Sequence, residues 1–224
     1  MPTTLSHSTR YAAGSIVIAA SLVQFLVVQL LVESRWDTPY SWATNNVSDL
    51  GNVTCGSWGP DDRYVCSPWH DLMNVSFVVF GVGIVVGTLI LGRALGLLRT
   101  PTALIASSGI GYVLAGVYPA DVNENMHVLG ALFIFFAGNV GLLVLGLSRG
   151  TAAGPLRIAT IAAGIAGLTC TVLFLARVDV GIGLGGLERI PTYLPVVWLI
   201  VVAVAGGRAT TAPAERQVEP QHGR

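Results

Sequence analysis

Lysine is absent from the 224-residue chain, so all twelve basic residues are arginine, and twelve acidic residues bring the formal net charge to zero. Without a lysine there is no Schiff base for retinal or a similar chromophore, and no lysine for a phosphate-binding P-loop. Charge of either sign is scarce. At 11% charged residues, against about 25% in a soluble domain, the chain does not read as a water-soluble globule. The arginines are scattered and form no basic stripe interleaved with aromatics, which excludes a nucleic-acid partner. Three cysteines with no C-x-x-C pair exclude a disulfide relay enzyme.

What the chain has in quantity is uninterrupted apolar sequence. Residues 11–32, 72–92, 100–120, 125–148, 158–176 and 190–207 contain no Asp, Glu, Lys or Arg, and mean hydropathy is +0.68. A bilayer core roughly 30 Å thick takes about 20 residues of helix, so each stretch is long enough to cross once. The expected fold class is therefore all-α, a polytopic bundle of six transmembrane helices. The first stretch is too long for a signal-peptide core and no small-residue cleavage site follows it, so it is expected to remain as the first helix.

Placing alternate connections on opposite sides sorts the arginines eight to four, with Arg35, Arg63, Arg177 and Arg189 on the poorer side. Basic residues accumulate on the cytoplasmic side, so both termini are expected there, in a multi-pass protein of the plasma (inner) membrane. The expected organisation is a cytoplasmic N-terminus over 1–10, a membrane domain over 11–207 and a disordered polar tail over 208–224. Ser67-Pro68 and Thr100-Pro101 look like an N-cap followed by a first-turn proline, Pro191 opens span six, and Asp121 looks like an N-cap. Recurrent glycines within the spans are expected to serve close helix packing.

One long connection, 34–66, lies on the outer side. It and the adjoining residue 69 hold four of the five tryptophans, Trp36, Trp42, Trp58 and Trp69, as an interfacial loop would. Cys55 and Cys66 both fall in this loop, and a disulfide between them is expected on an oxidising face.

Most acids also fall on that side. The stretches that carry polar chemistry are Asn46-Val-Ser48-Asp49-Leu-Gly51, then Ser67-Pro-Trp-His70-Asp71-Leu-Met-Asn74-Val-Ser76, then Gly116-Val-Tyr-Pro119-Ala-Asp121, followed by His127. Together they resemble the domain of unknown function 998 family, six-span proteins of bacteria and archaea, over roughly residues 10–207. The Ser48–Gly51 stretch is also distantly similar to the DRAM-like and Frag-type eukaryotic families, which touch lipid remodelling and autophagy. The family resemblance implies a six-span fold and a shared polar site, and no established reaction.

Ionisable groups at membrane depth are costly and face a bundle interior or a wet cavity. The candidate catalytic residues are Asp49, His127, Ser48 and Asp71, with Asn46, Ser67, His70, Asn74 and Asp121 as candidate substrate-binding residues. Three readings compete. His127 and a carboxylate act as base and orienter on a lipid or lipid-linked ester, activating Ser48 or water. Alternatively, Asp49, Asp71 and His127 hold a divalent metal that polarises the same substrate, and no other cofactor is assigned. In the third, the cluster fastens the loop to the bundle or recognises a lipid headgroup without reacting. Membrane lipids are the expected partners in each case. No bis-histidine haem is expected, since His7 and His222 lie in the tails. Ser107 and Ser108 lie in the inner half of span three, too far from His127 for an intramembrane serine protease. A transporter is the alternative from another class, with Gln24, Asn74 and Asn139 as polar residues inside spans, but no carboxylate relay deep within them.

Overall fold

In the computed structural model, which describes residues 6–148 and 154–211, six helices are long and apolar enough to cross a membrane. They are α1 (His7–Glu33), α2 (His70–Ala94), α3 (Arg99–Val117), α4 (Glu124–Leu147), α5 (Gly154–Leu175) and α6 (Gly183–Thr211). Each packs on its neighbours in sequence and α6 closes the ring against α1. Long apolar helices leave no backbone group unpaired in hydrocarbon, which is why charge-free runs take this form. Four residues suffice to join α2 to α3, whereas 36 residues, 34–69, separate α1 from α2. The expected tail begins later than 208, because α6 continues to Thr211; 212–224 lie outside the described residues, as do 1–5 of the expected N-terminal segment.

The middle of the bundle is aromatic. Phe25 stacks on Phe80 with centroids 4.4 Å apart, and Tyr112 meets Phe80 edge-on at 4.7 Å. The Tyr112 hydroxyl donates to the Thr192 carbonyl at 2.7 Å, so the one polar atom of this plug is satisfied inside it. Close packing at the expected small residues is also present: a side chain at Gly81 would strike the Gly109 backbone, and one at Gly87 would strike Ile18.

Helix starts differ from expectation in four places. Ser67 does not cap α2, whose first residue is His70, because its Oγ donates to the Leu50 carbonyl at 2.7 Å instead. Arg99 opens α3 with Leu98 before it, so Thr100 is not the cap, although Pro101 stays in the first turn. Asn123 rather than Asp121 caps α4, its side chain accepting from the Met126 amide at 3.2 Å. Finally, α6 begins at Gly183, leaving Pro191 and Pro195 within it. Its start is held by Asp179, whose Oδ1 accepts from the amides of Gly181, Ile182 and Gly183 at 2.8–3.1 Å.

The long connection forms a lid over one end of the bundle. It contains a single 3-10 turn, Ser48–Gly51, and a hairpin of β1 (Gly56–Trp58) and β2 (Arg63–Val65), a small ribbon absent from the sequence expectation. Cys55 and Cys66 are disulfide-bonded just outside the Gly56–Val65 pair and close the open end of the hairpin.

Candidate functional site

The lid is tied to the bundle by side chains of the motifs, bonded chiefly to backbone, and by one ion pair. Asn74, one turn into α2, donates to the Gly51 carbonyl at 2.9 Å, beside the Ser67–Leu50 bond. From the connection between α3 and α4, Asp121 Oδ2 accepts from the amides of Val53 and Thr54 and from the Thr54 hydroxyl, at 2.7–2.9 Å. From the connection between α5 and α6, Arg177 pairs with Asp61. Three connections thus meet at one end of the molecule.

Two buried charged groups organise the space beneath. Asp49, 1% exposed, takes Arg63 in a two-pronged pair, Nη2 to Oδ1 at 2.6 Å and Nε to Oδ2 at 2.9 Å, and also accepts from the Asn46 amide at 2.9 Å. Burial alone would lower the Arg63 pKa, but the hydrogen bond and charge of Asp49 outweigh it and hold the guanidinium above its ordinary value. The second group is the adjacent pair Glu188 and Arg189, at 5% and 6% exposure in the second turn of α6. Arg189 Nη1 donates to the carbonyls of Trp42, Asn45 and Gly185 at 2.8–3.0 Å, and Nη2 to the Tyr40 hydroxyl at 2.7 Å. Its guanidinium also lies 5.0 Å from the Trp42 ring centroid. Tyr40 passes the chain on to the Asn46 carbonyl at 2.8 Å, and burial raises its pKa well above the usual phenol value. Glu188 turns to the other side, accepting the Val47 amide at 2.5 Å and the Ser48 hydroxyl at 3.3 Å.

Beside Glu188 opens a cavity of about 250 Å³ whose polar wall includes Asn46, Ser48, Arg63, His127 and Glu188. His127, in the first turn of α4, holds its Nδ1 3.0 Å from the Tyr118 carbonyl. The apolar part of the lining includes Val128, Leu132 and Leu175, which are 48%, 40% and 55% exposed. The polar part is thus covered, while the apolar part reaches the flank between α4 and α5. A smaller void of about 30 Å³ continues inward past Ser48, His127 and Glu188 and ends on Tyr112 and Thr192; it has room for one or two waters.

Of the candidate residues, Asn46, Ser48 and His127 line this cavity, and Asp49 lies behind it, engaged with Arg63. Asp71 is elsewhere: its side chain is 95% exposed and meets only His70, at 3.4 Å, because that face of α2 turns away from the lid. His70 itself bonds the Ser67 carbonyl through Nδ1 at 2.9 Å. The metal set of Asp49, Asp71 and His127 is therefore not assembled, and among the described residues no group of three His, Cys, Asp or Glu is placed to hold an ion. Ser67, Asn74 and Asp121 serve the lid rather than the cavity. The span amides are likewise engaged: Gln24 with Ser76 on α2, and Asn139 with the Phe135 and Pro191 carbonyls.

Four organising residues, Tyr40, Arg63, Glu188 and Arg189, were not singled out for the site. Glu188 and Arg189 lie inside the last span rather than before it, because α6 starts seven residues before the charge-free run does. The signal available was their position two and three residues before Pro191, within reach of a helix begun by Asp179 and the glycines at 181 and 183.

A family model described as a protein of unknown function (DUF998) matches residues 18–205. No curated protein and no solved structure matches.

Proposed function

The chain belongs to the DUF998 family, and we propose that it is a multi-pass plasma-membrane protein that binds a lipid or lipid-linked molecule beneath its lid. One observation carries the reading: a single cavity joins a polar wall of Ser48, His127 and Glu188 to an apolar wall whose side chains are exposed on the membrane flank. An amphipathic ligand satisfies both walls at once, headgroup against the hydroxyl, imidazole and carboxylate, and acyl chain along Val128, Leu132 and Leu175. A fully polar solute would leave the apolar wall uncovered. The arginine bias supports a lid and cavity on the outer side, with both termini in the cytoplasm.

Purified protein is expected to carry a bound lipid detectable by extraction and mass spectrometry. Replacing Ala131, which lines both voids, by Trp fills the space and should remove that lipid without unfolding the bundle. Retention of the same lipid by Ala131→Trp sinks the reading.

A hydrolase- or transferase-type reaction is the second reading. It is favoured by the position of Ser48 and His127 on one wall, where a base and a hydroxyl meet the same headgroup. Its test is the lipid composition of cells bearing the wild type, no protein, or His127→Ala or Ser48→Ala. A lipid that accumulates equally without the protein and with either variant supports chemistry. Full complementation by both variants leaves binding alone.

A further inference from the structure

At the end of the bundle away from the lid, the turn from α2 to α3 borders a groove of about 610 Å³. Arg93 and Arg99 stand on its two sides, one in the last turn of α2 and one at the start of α3, and Leu89, Leu97 and Ala103 supply apolar wall. Both arginines are exposed, and neither guanidinium makes a hydrogen bond or ion pair among the described residues. Nor is there an acid at that end to answer them: every Asp and Glu among the described residues lies at the lid end of a helix or in the lid-side connections. Two uncompensated guanidiniums facing one groove repel each other and gain most from a shared anion.

We infer that this groove binds the phosphate of an anionic phospholipid from the leaflet opposite the lid. A lipid fits better than a soluble phosphate because the groove lies against two spans, and Leu98, between the arginines in sequence, is 45% exposed where only acyl chains or water meet it. Guanidinium matches phosphate through paired N–H donors, while Leu89 and Leu97 lie along the chains. Nothing here depends on the lid cavity, so either assignment stands if the other falls.

The test uses the full-length protein in detergent, titrated with phosphatidylglycerol, phosphatidylcholine and inorganic phosphate under native mass spectrometry. Phosphatidylglycerol should be preferred over phosphatidylcholine, and phosphate alone should not displace it. With about a factor of five for each basic residue near an anionic lipid, Arg93→Gln/Arg99→Gln should lose roughly 25-fold of that preference. Arg93→Lys/Arg99→Lys should keep most of it, and Arg10→Gln, on the same face but outside the groove, should keep all of it. If the double variant fails to fold, the single Gln variants carry the test at roughly five-fold each. Equal binding of the two lipids by the wild type overturns the inference. So does undiminished preference in the Gln variants, or displacement by free phosphate. A chain ended at Thr211 should bind as the full chain does. If phosphatidylglycerol is held only after that truncation, the arginines answer Glu215 and Glu219 of the tail, and the lipid assignment falls.

Discussion

Asp49 and Arg63 show how two side chains withdrawn from water satisfy each other at the edge of a membrane. With 1% and 16% side-chain exposure, neither charge is stable alone there, and each prong of the pair replaces a lost water contact. Asp49→Asn should therefore cost about 3 kcal/mol, because it strands the guanidinium, and Arg63→Gln a similar amount. The double variant should cost clearly less than the two summed, a coupling that thermal unfolding of the four proteins in detergent will measure. Additive losses would mean that the two side chains act separately. At Asp179 the sign of a pH effect follows from geometry. Backbone N–H groups of Gly183 and Gly181, then those of Ile182 and Val180, hold its pKa below the ordinary carboxylate value. A depressed folded value means that the stabilisation is full above the unfolded pKa, about 4, and is lost as pH falls through the lower folded value. The protection of the amides at 181–183, taken relative to intrinsic exchange at each pH, should fall on acidification below about pH 4 and be constant above it. Asp179→Asn should flatten the profile.

At the scale of elements, α4 and α6 solve a problem that each creates. Pro195 has no N–H, so the Pro191 carbonyl one turn earlier lacks its helical donor. The turn Phe133–Ala137 of α4 is π-helical, which shifts the ladder at Phe135. Asn139, fully buried, donates Nδ2 to both carbonyls, at 3.0 Å to Pro191 and 2.8 Å to Phe135. Its Oδ1 lies against Gly167 of α5, where any Cβ would collide with it. Asn139→Leu should cost roughly 2 kcal/mol or more through unpaired buried carbonyls, and Gly167→Ala should mimic it by displacing the amide. Unchanged melting of both variants would show that the carbonyls find other donors. Asn139 was visible in the sequence as a lone amide in an apolar run. Its partners were not, since one is set by a π turn and the other lies 52 residues away on a helix assigned a later start.

For the whole molecule, the lid is an independent layer pinned to a closed ring of helices. Iodoacetamide should label Cys170 alone in the unfolded, non-reduced protein, with Cys55 and Cys66 becoming reactive after reduction. Reduction should open the hairpin to protease while leaving the helical bundle intact, because the helices pack through contacts that the disulfide does not share. Labelling of all three thiols without reductant would exclude the bond.

Six charge-free runs were enough to read six helices from the residues alone, because hydrocarbon leaves the backbone no partner but itself and length does the rest. Ser48, Asn46 and His127 were legible as polar residues of motifs at one end of the bundle. Which of the polar residues face a common space was decided only in three dimensions. Arg189 bonds carbonyls about 145 residues away, and Glu188 an amide 141 residues away. Backbone acceptors carry no mark in a sequence, so a charge they satisfy is indistinguishable there from one exposed in a loop. The same limit applied to Asp71, whose neighbours along the chain are those of a site residue while its helix face points to the surface.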